Sequence, residues 1–349
     1  MIASYSIHDL QFRKPAKTSR NTLETKRLYL LKLQNHAGLI GYGEISPFAD
    51  LSIDDRPDFV QKLNQCIDLI NEGAPLEDLD LDSWPSIAFG YDTALRDLAN
   101  GGRQQFFTGS FADGIASIHI NGLIWMASKK EMLSQVEEKI QQGYRCIKMK
   151  IGALDFDEEC RLLEAIRKKY SAFQIELRVD ANGAFPLSDA LDMLKDLNRF
   201  ELHSIEQPIR QGNWEHMAEL CAKSALDIAL DEELLGINPA MDGDRMLQVI
   251  QPKYLIIKPG LLGAFSVSAE WIKQAEAKHT AWWITSALES NLGLAAISQF
   301  ASQYKNPLPQ GLGTGQLYTN NIPSPLQINQ GRLAQDGLEV WNFNLSLPE

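Results

Sequence analysis

The chain has 349 residues, 44% of them hydrophobic and 22% charged, and its 33 Lys+Arg against 45 Asp+Glu give a formal charge of −12. A chain of this length builds one large domain or two ordinary ones with a sizeable core, and the composition excludes disorder as the dominant state. The acidic surface disfavours nucleic acid and anionic membrane as partners, but a locally basic pocket for a small anionic carboxylate substrate remains compatible with it.

Residues 1–50 read as strands over 2–12, 26–35 and 38–44, with a polar loop at 14–25 and a turn at Asn35-His36-Ala37-Gly38. Helical patterns follow at 57–71 and 86–100, the second stopped by Asn100-Gly101-Gly102. From about residue 115 short apolar runs alternate with amphipathic segments. The spacing predicts strands at 117–121, 146–151, 176–180, 204–206, 227–231, 254–258 and 281–286, with a weaker one at 310–313. Helices are expected at 129–142, 157–170, 188–200, 213–223 and 264–279. This alternation predicts an α/β fold, a parallel (β/α) barrel, because no glycine-rich phosphate loop follows any strand. An α+β unit spans 1–112, the barrel 113–315, and the segment 316–349 returns to the α+β unit.

Cys66, Cys146, Cys160 and Cys221 form no CxxC pair and have no histidine at zinc-finger spacing, so they read as reduced structural thiols. The first residues lack the apolar core of a signal peptide, and no apolar run reaches the ~18 residues of a spanning helix. A cytoplasmic location is expected. No oligomeric state follows from the sequence.

The chemistry lies in the charges at the strand ends. Asp180, Glu206, Asp231 and Lys258 follow one another at intervals of 26, 25 and 27 residues, one strand–helix unit each time. Successive strands therefore deliver charges to the C-terminal rim, where barrel enzymes build active sites. Three converging carboxylates call for a cation, and an all-oxygen donor set suits Mg²⁺, with Mn²⁺ as substitute. Asp180, Glu206 and Asp231 are the expected ligands. A lone acid at a strand end is more often solvated or salt-bridged, but three in phase with the strands are not.

Lys148 and Lys150 stand two apart on one strand and share a face, while Met149 points to the other. Mutual repulsion and a nearby dication are expected to lower a lysine into the range of a general base. Lys258 follows Tyr254-Leu255-Ile256-Ile257 across the barrel. Arg178 shares the face of Asp180, either to hold an anionic substrate group or as a strut. Lysines flanking a dication suit removal of a proton α to a carboxylate, with the enediolate stabilised.

This constellation resembles the enolase superfamily. Lys148-Met149-Lys150 with Lys258 resembles the muconate-lactonizing subgroup, and within it the o-succinylbenzoate synthase family. The segments that carry the likeness are 40–48 (IGYGEISPF), 118–123 (IHINGL), 285–294 (TSALESNLGL) and 311–315 (GLGTG). The resemblance covers nearly the whole chain and implies a (β/α)7β barrel under a capping domain. It implies a metal-dependent syn dehydration in menaquinone biosynthesis, with Lys150 abstracting the α-proton and then protonating the leaving hydroxyl. Lys258 would stabilise the enediolate, and Lys148 would tune Lys150 and hold the carboxylate. Asn182 and Glu232 would brace the ligands. Ser286, Gly311 and Gly313 would hold the succinyl carboxylate, although GLGTG reads equally well as a glycine turn. Glu289 reads as structural, and the 14–25 loop as a lid or a plain hairpin loop.

Residues 308–317 lack the DxD pair of the subgroup's dipeptide epimerases. N-succinylamino acid racemisation, which needs lysines on both faces of a carbon, and muconate cycloisomerisation remain as alternatives. A non-catalytic barrel is disfavoured because all three acids and all three lysines are present. A two-carboxylate glycosidase would leave the lysines unexplained.

Overall fold

The computed structural model describes residues 1–17, 22–152, 155–336 and 341. The chain opens with three antiparallel strands, β1 (Ile2–Lys17), β2 (Thr22–Gln34) and β3 (Ile40–Ile45), paired in that order. Much of the 14–25 stretch expected to loop out is strand instead. Ala16 pairs with Leu23 and Lys17 with Thr22 after a register shift beyond Gln11. Backbone pairing with a neighbouring strand overrides the polar composition that marked the segment as a loop. The centre of the expected lid, 18–21, lies outside the described residues.

Helices α1 (Phe59–Glu72) and α2 (Pro85–Ala99) cover this sheet. Strand β3 lies against α2 so closely that a methyl group on Gly43 would run into the Gly90 carbonyl oxygen. The α2 N-terminus is held by Asp54, whose carboxylate accepts from the Ser86 amide at 2.8 Å and the Ser86 hydroxyl at 3.0 Å. Tyr29, Leu31, Leu33, Ile45, Phe59, Leu63 and Ile87 form a core of their own here.

The larger unit is a seven-stranded parallel sheet: β5 (Gly122–Ile124), β6 (Cys146–Lys150), β7 (Glu176–Asp180), β8 (Ser204–Glu206), β9 (Ile228–Leu230), β10 (Tyr254–Ile257) and β11 (Ala281–Ile284). The strands are linked by α3 (Lys129–Gln141), α4 (Phe156–Lys169), α5 (Ala190–Asn198), α6 (Trp214–Lys223), α7 (Asp244–Ile250), and the pair α8 (Pro259–Leu262) and α9 (Phe265–Ala277). Outward residues such as Ile147, Met149, Leu177, Val179 and Ile205 are buried in the core shared with those helices. Helix α10 (Asn291–Ala301) is buried along nearly its whole length, which explains the apolar stretch near 288–300.

The seam between the end strands is closed by residues 310–311. The Gly311 amide donates to the Ile284 carbonyl at 2.8 Å, and the Asn121 amide to the Gln310 carbonyl at 3.0 Å. The weak eighth strand is thus reduced to two bridging residues. The run 117–121 is not the first barrel strand. β4 (Ser117–His119) pairs antiparallel with β13 (Arg332–Gln335), which pairs with β12 (Leu326–Asn329), and the barrel sheet starts at Gly122. The apolar run is real, but the hairpin claims its first half. Residues near 318–320 meet the N-terminal sheet through the Phe12–Tyr318 bridge and the Thr319 amide, which donates to Gln11 O at 2.9 Å.

Candidate active site

Parallel register brings the charged residues side by side. Lys150 pairs across with Asp180, Asp180 with Glu206, and Lys148 with Arg178. Alternation along β6 turns Lys148 and Lys150 into the barrel and Met149 out to the helices. All three acids are buried.

The lysines sit among the acids. Lys150 Nζ lies 2.6 Å from Asp180 Oδ2, and Lys148 Nζ lies 2.9 Å from the same oxygen. Lys148 also contacts Glu206, and Lys258 pairs with Asp231 and stands 3.8 Å from Glu206 Oε1. Among the described residues, no group of three or more His, Cys, Asp or Glu side chains stands as an open cage for a metal. The acids converge on ammonium groups, so Asp180, Glu206 and Asp231 are together but not arranged as bare ligands.

The residues nevertheless fit a cation. Both Glu206 oxygens are buried without a hydrogen bond of good geometry, despite the ion pair with Lys148. Burial and the neighbouring Asp180 raise its carboxyl well above the usual range. A hard dication would meet that exposed need, and the donors are carboxylate oxygens throughout.

The expectation that the lysines would be lowered does not hold for Lys148 and Lys258. Burial pushes both down, but Asp180 and Glu206 around Lys148, and Asp231, Glu206 and Glu232 around Lys258, outweigh it and raise them. In the same way Asp180, which burial would raise, is held below the carboxylate range by Lys148, Lys150 and Lys258. Attraction to the adjoining acids outweighs both burial and the repulsion between neighbouring lysines.

Asn182 sits between the lysines and the acids. Its backbone is left-handed, with φ of 45°, and its amide donates to Asp180 Oδ1 at 3.0 Å. Its side-chain oxygen accepts from Lys150 Nζ at 2.8 Å, and its side-chain nitrogen donates to Glu232 at 2.9 Å. Gln207, which the sequence did not single out, braces the segment that follows the next strand, β9. Its side-chain oxygen accepts from the Asp231 amide at 3.2 Å, and its nitrogen donates to Glu233 at 2.9 Å.

Above these groups opens a pocket of about 900 Å³, counted to its mouth. Lys148, Lys150, Lys258 and Asn182 line one part of it, and Ser286, Gly311, Gly313 and Thr314 another. Ser286 Oγ lies 2.5 Å from Thr314 Oγ1, and the Ser286 amide donates to Gly311 O at 3.0 Å. Phe48, Ala49 and Leu51 close the pocket from the N-terminal unit, and Asn121, Leu123 and Trp125 from the start of the barrel. These last two groups were not picked out as site residues, although Phe48, Asn121 and Leu123 fall inside segments that carry the family likeness.

Arg178 is not in the pocket. Two residues before Asp180, it lies one layer deeper in the barrel, with its side chain only 2% exposed. It donates to Glu176 at 2.7 Å and to the Pro309 carbonyl at 3.0 Å, and stacks 4.1 Å from the Trp283 ring centre. It is a strut, and the alternative of a substrate ligand is set aside.

Comparison with known proteins gives the same direction. Residues 131–338 match the family described as enolase C-terminal domain-like. The o-succinylbenzoate synthase of Desulfotalea psychrophila is 45% identical, covering 95% of this chain and 98% of that protein. The crystal structure of MenC from the same organism superposes with a TM-score of 0.86 at 42% identity, over 96% of this chain and 99% of that one. An o-succinylbenzoate synthase from Thermosynechococcus elongatus, described as complexed with Mg in the active site, shares the fold at a TM-score of 0.75 and 21% identity, over 94% and 97% of the two chains. The chain belongs to the enolase superfamily and is a homologue of o-succinylbenzoate synthase.

Proposed function

We propose that the protein dehydrates 2-succinyl-6-hydroxy-2,4-cyclohexadiene-1-carboxylate to 2-succinylbenzoate and water, a step of menaquinone biosynthesis in the cytoplasm. The observation that carries this reading is the set of three ammonium groups facing one pocket above three buried acids. It is supported by 45% identity, over 95% of this chain, with the o-succinylbenzoate synthase of Desulfotalea psychrophila.

Asp180, Glu206 and Asp231 would hold Mg²⁺, or Mn²⁺ in its place. Bound there, the ion supplies Lewis-acid stabilisation to a substrate carboxylate. The rest is work for the chain. Lys150 would enter the step as the neutral amine, its two N–H bonds directed at Asp180 and Asn182, and take on its lone pair the proton from the ring carbon that bears the carboxylate. The electron pair passes into the carboxylate as an enediolate, opposite which Lys258 presents a positive charge. Lys150 returns the proton to the departing hydroxyl on the same face, and the ring becomes aromatic. Lys148 holds the carboxylate and fixes the charge beside Lys150. The paired hydroxyls of Ser286 and Thr314 leave one O–H to donate to the succinyl carboxylate, beside the wall formed by Gly311 and Gly313.

In this reading the barrel over 113–315 carries the chemistry, and residues 1–112, met by Tyr318 and Thr319, cap it and select the substrate. A second reading has one observation in its favour. Lys150 and Lys258 both line the pocket from different strands, as racemisation of an N-succinylamino acid requires.

The test is turnover of the diene with Mg²⁺, followed by absorbance, because only the product is aromatic. Turnover by the wild type and its loss in Lys150→Ala is the expected result. A folded, metal-loaded wild type that leaves the diene untouched overturns the proposal, and deuterium exchange at the α-carbon of N-succinylamino acids would then decide for racemisation.

A further inference from the structure

A fourth lysine, outside the reacting group, is buried where the two units of the fold meet. Lys26 lies on β2 and is 6% exposed. Its ammonium crosses to the loop after β11 and donates to the carbonyls of Ala287 at 2.6 Å and Leu288 at 3.0 Å. It also stands 5.3 Å from the ring centre of Phe48. Ala287, Leu288 and Phe48 all line the pocket.

The loop it grips is not relaxed. Leu288 holds a left-handed backbone, with φ of 63°, which a branched side chain rarely adopts. Three further bonds hold it there. Tyr318 donates to the Leu288 carbonyl at 2.6 Å, the Ala287 amide donates to Glu289 at 2.6 Å, and the Ser290 amide donates to Glu44 of β3 at 2.9 Å. A buried carbonyl left without a donor is costly, so two carbonyls aimed at one ammonium fix the loop tightly. Ser286 begins this loop, and its position relative to Gly311 and Thr314 depends on where the loop is pinned.

We infer that Lys26 is a positioning residue for substrate selection: through the Ala287 and Leu288 carbonyls it sets the wall of the pocket that receives the substrate's side arm. The inference rests on the dehydration reading for the identity of that arm. Lys26 touches neither the lysines nor the acids of the reacting group, so it acts on binding of the arm and not on the proton transfer. It also ties the capping unit to the barrel, since Phe48 and Ala287 belong to different units and meet over one ammonium.

The experiment compares Mg²⁺-loaded wild type with Lys26→Met and Lys26→Gln. Three measurements are made: kinetics with the diene, and calorimetric binding of 2-succinylbenzoate and of benzoate, which has no arm. Wild-type turnover settles the dehydration reading by itself, and the difference between variant and wild type settles the role of Lys26. Lys26→Met is expected to raise KM about tenfold and leave kcat within about twofold. It should weaken 2-succinylbenzoate by a similar factor and leave benzoate unchanged. Lys26→Gln, which retains a donor, should recover part of the loss. An unchanged KM, an equal fall in kcat, or equal weakening of both ligands overturns the inference. Where circular dichroism shows that Lys26→Met does not fold, Tyr318→Phe carries the test. It removes the other donor to Leu288 and should give a smaller KM shift of the same sign.

Discussion

Asn182 joins Lys150 to Glu232: its side chain accepts from the lysine at 2.8 Å and donates to the acid at 2.9 Å. The lysine proposed to move the proton is therefore aimed by an amide that is itself held from the far side. Asn182→Ala should lower kcat by about tenfold to a hundredfold, an effect typical of lost support around a reacting group, with KM little changed. Steady-state kinetics on the diene check this, and a KM effect without a kcat effect would count against it.

Lys150→Ala removes the group proposed to take the proton. Its kcat should fall by about a thousandfold or more. Arg178→Met, by contrast, should act on stability. Cutting away the buried guanidinium takes the donor from the Pro309 carbonyl and leaves Glu176 only the Cys146 thiol and His203, so the melting temperature should drop while the KM of any surviving folded enzyme stays near wild type.

Chelation should abolish activity, and Mg²⁺ or Mn²⁺ should restore it. A second readout does not need turnover. Binding to the folded chain alone stabilises it by mass action, so Mg²⁺ should raise the melting temperature of the wild type. Glu206→Gln should reduce that rise strongly. A melting temperature indifferent to Mg²⁺ would speak against the three acids as its site.

Three buried acids outside the reacting group predict the pH profile of stability. Burial raises Glu289 to about 7, and raises Asp54 and Asp97 to about 6 each. Each therefore binds a proton more readily folded than unfolded. Their stabilising contribution is full below the unfolded values and is lost as pH rises through about 6 to 7. For Glu289 the loss is on the order of 3 kcal/mol. In thermal melts between pH 5 and pH 8, Glu289→Gln should flatten this decline relative to wild type. An identical slope would refute the assignment.

A methyl group on Gly311 would collide with the Thr285 hydroxyl, at the seam that closes the barrel. Gly311→Ala should destabilise the protein by about 1 to 3 kcal/mol and raise KM, because the same residue lines the pocket. Chemical denaturation and kinetics on one preparation read both effects.

The clustering of the charged residues is legible in the sequence because a barrel converts position along the chain into position around a ring. Asp180, Glu206, Asp231 and Lys258 recur with the strand–helix repeat, and β7 and β8 begin and end where the apolar runs do. Alternation along β6 placed Lys148 and Lys150 without any long-range knowledge. Other features were hidden for equally physical reasons. The same two-residue rule put Arg178 on the face of Asp180 but was blind to depth, so a strut looked like a ligand. Ser117–His119 looked like a barrel strand because its partner, Arg332–Gln335, lies more than two hundred residues on. Lys26 sits among polar residues at the start of β2 and reads as a solvated lysine; only its contacts 261 and 262 positions away show otherwise.

The two-residue closure at Gln310–Gly311 has a consequence for synthesis. A ribosome releases residues 119–121, which lead into β5, early, yet the backbone groups of Gln310 that pair with them emerge nearly two hundred residues later. Until then β5 and β11 are the open edges of a curled, apolar sheet, a form prone to pair with other chains. A nascent chain stopped just short of Gln310 would carry every charged residue of the reacting centre and still be unable to shut the ring. Gln310 and Gly311 act as the clasp of the fold, and truncation just before them is expected to yield aggregate, not a weakened enzyme.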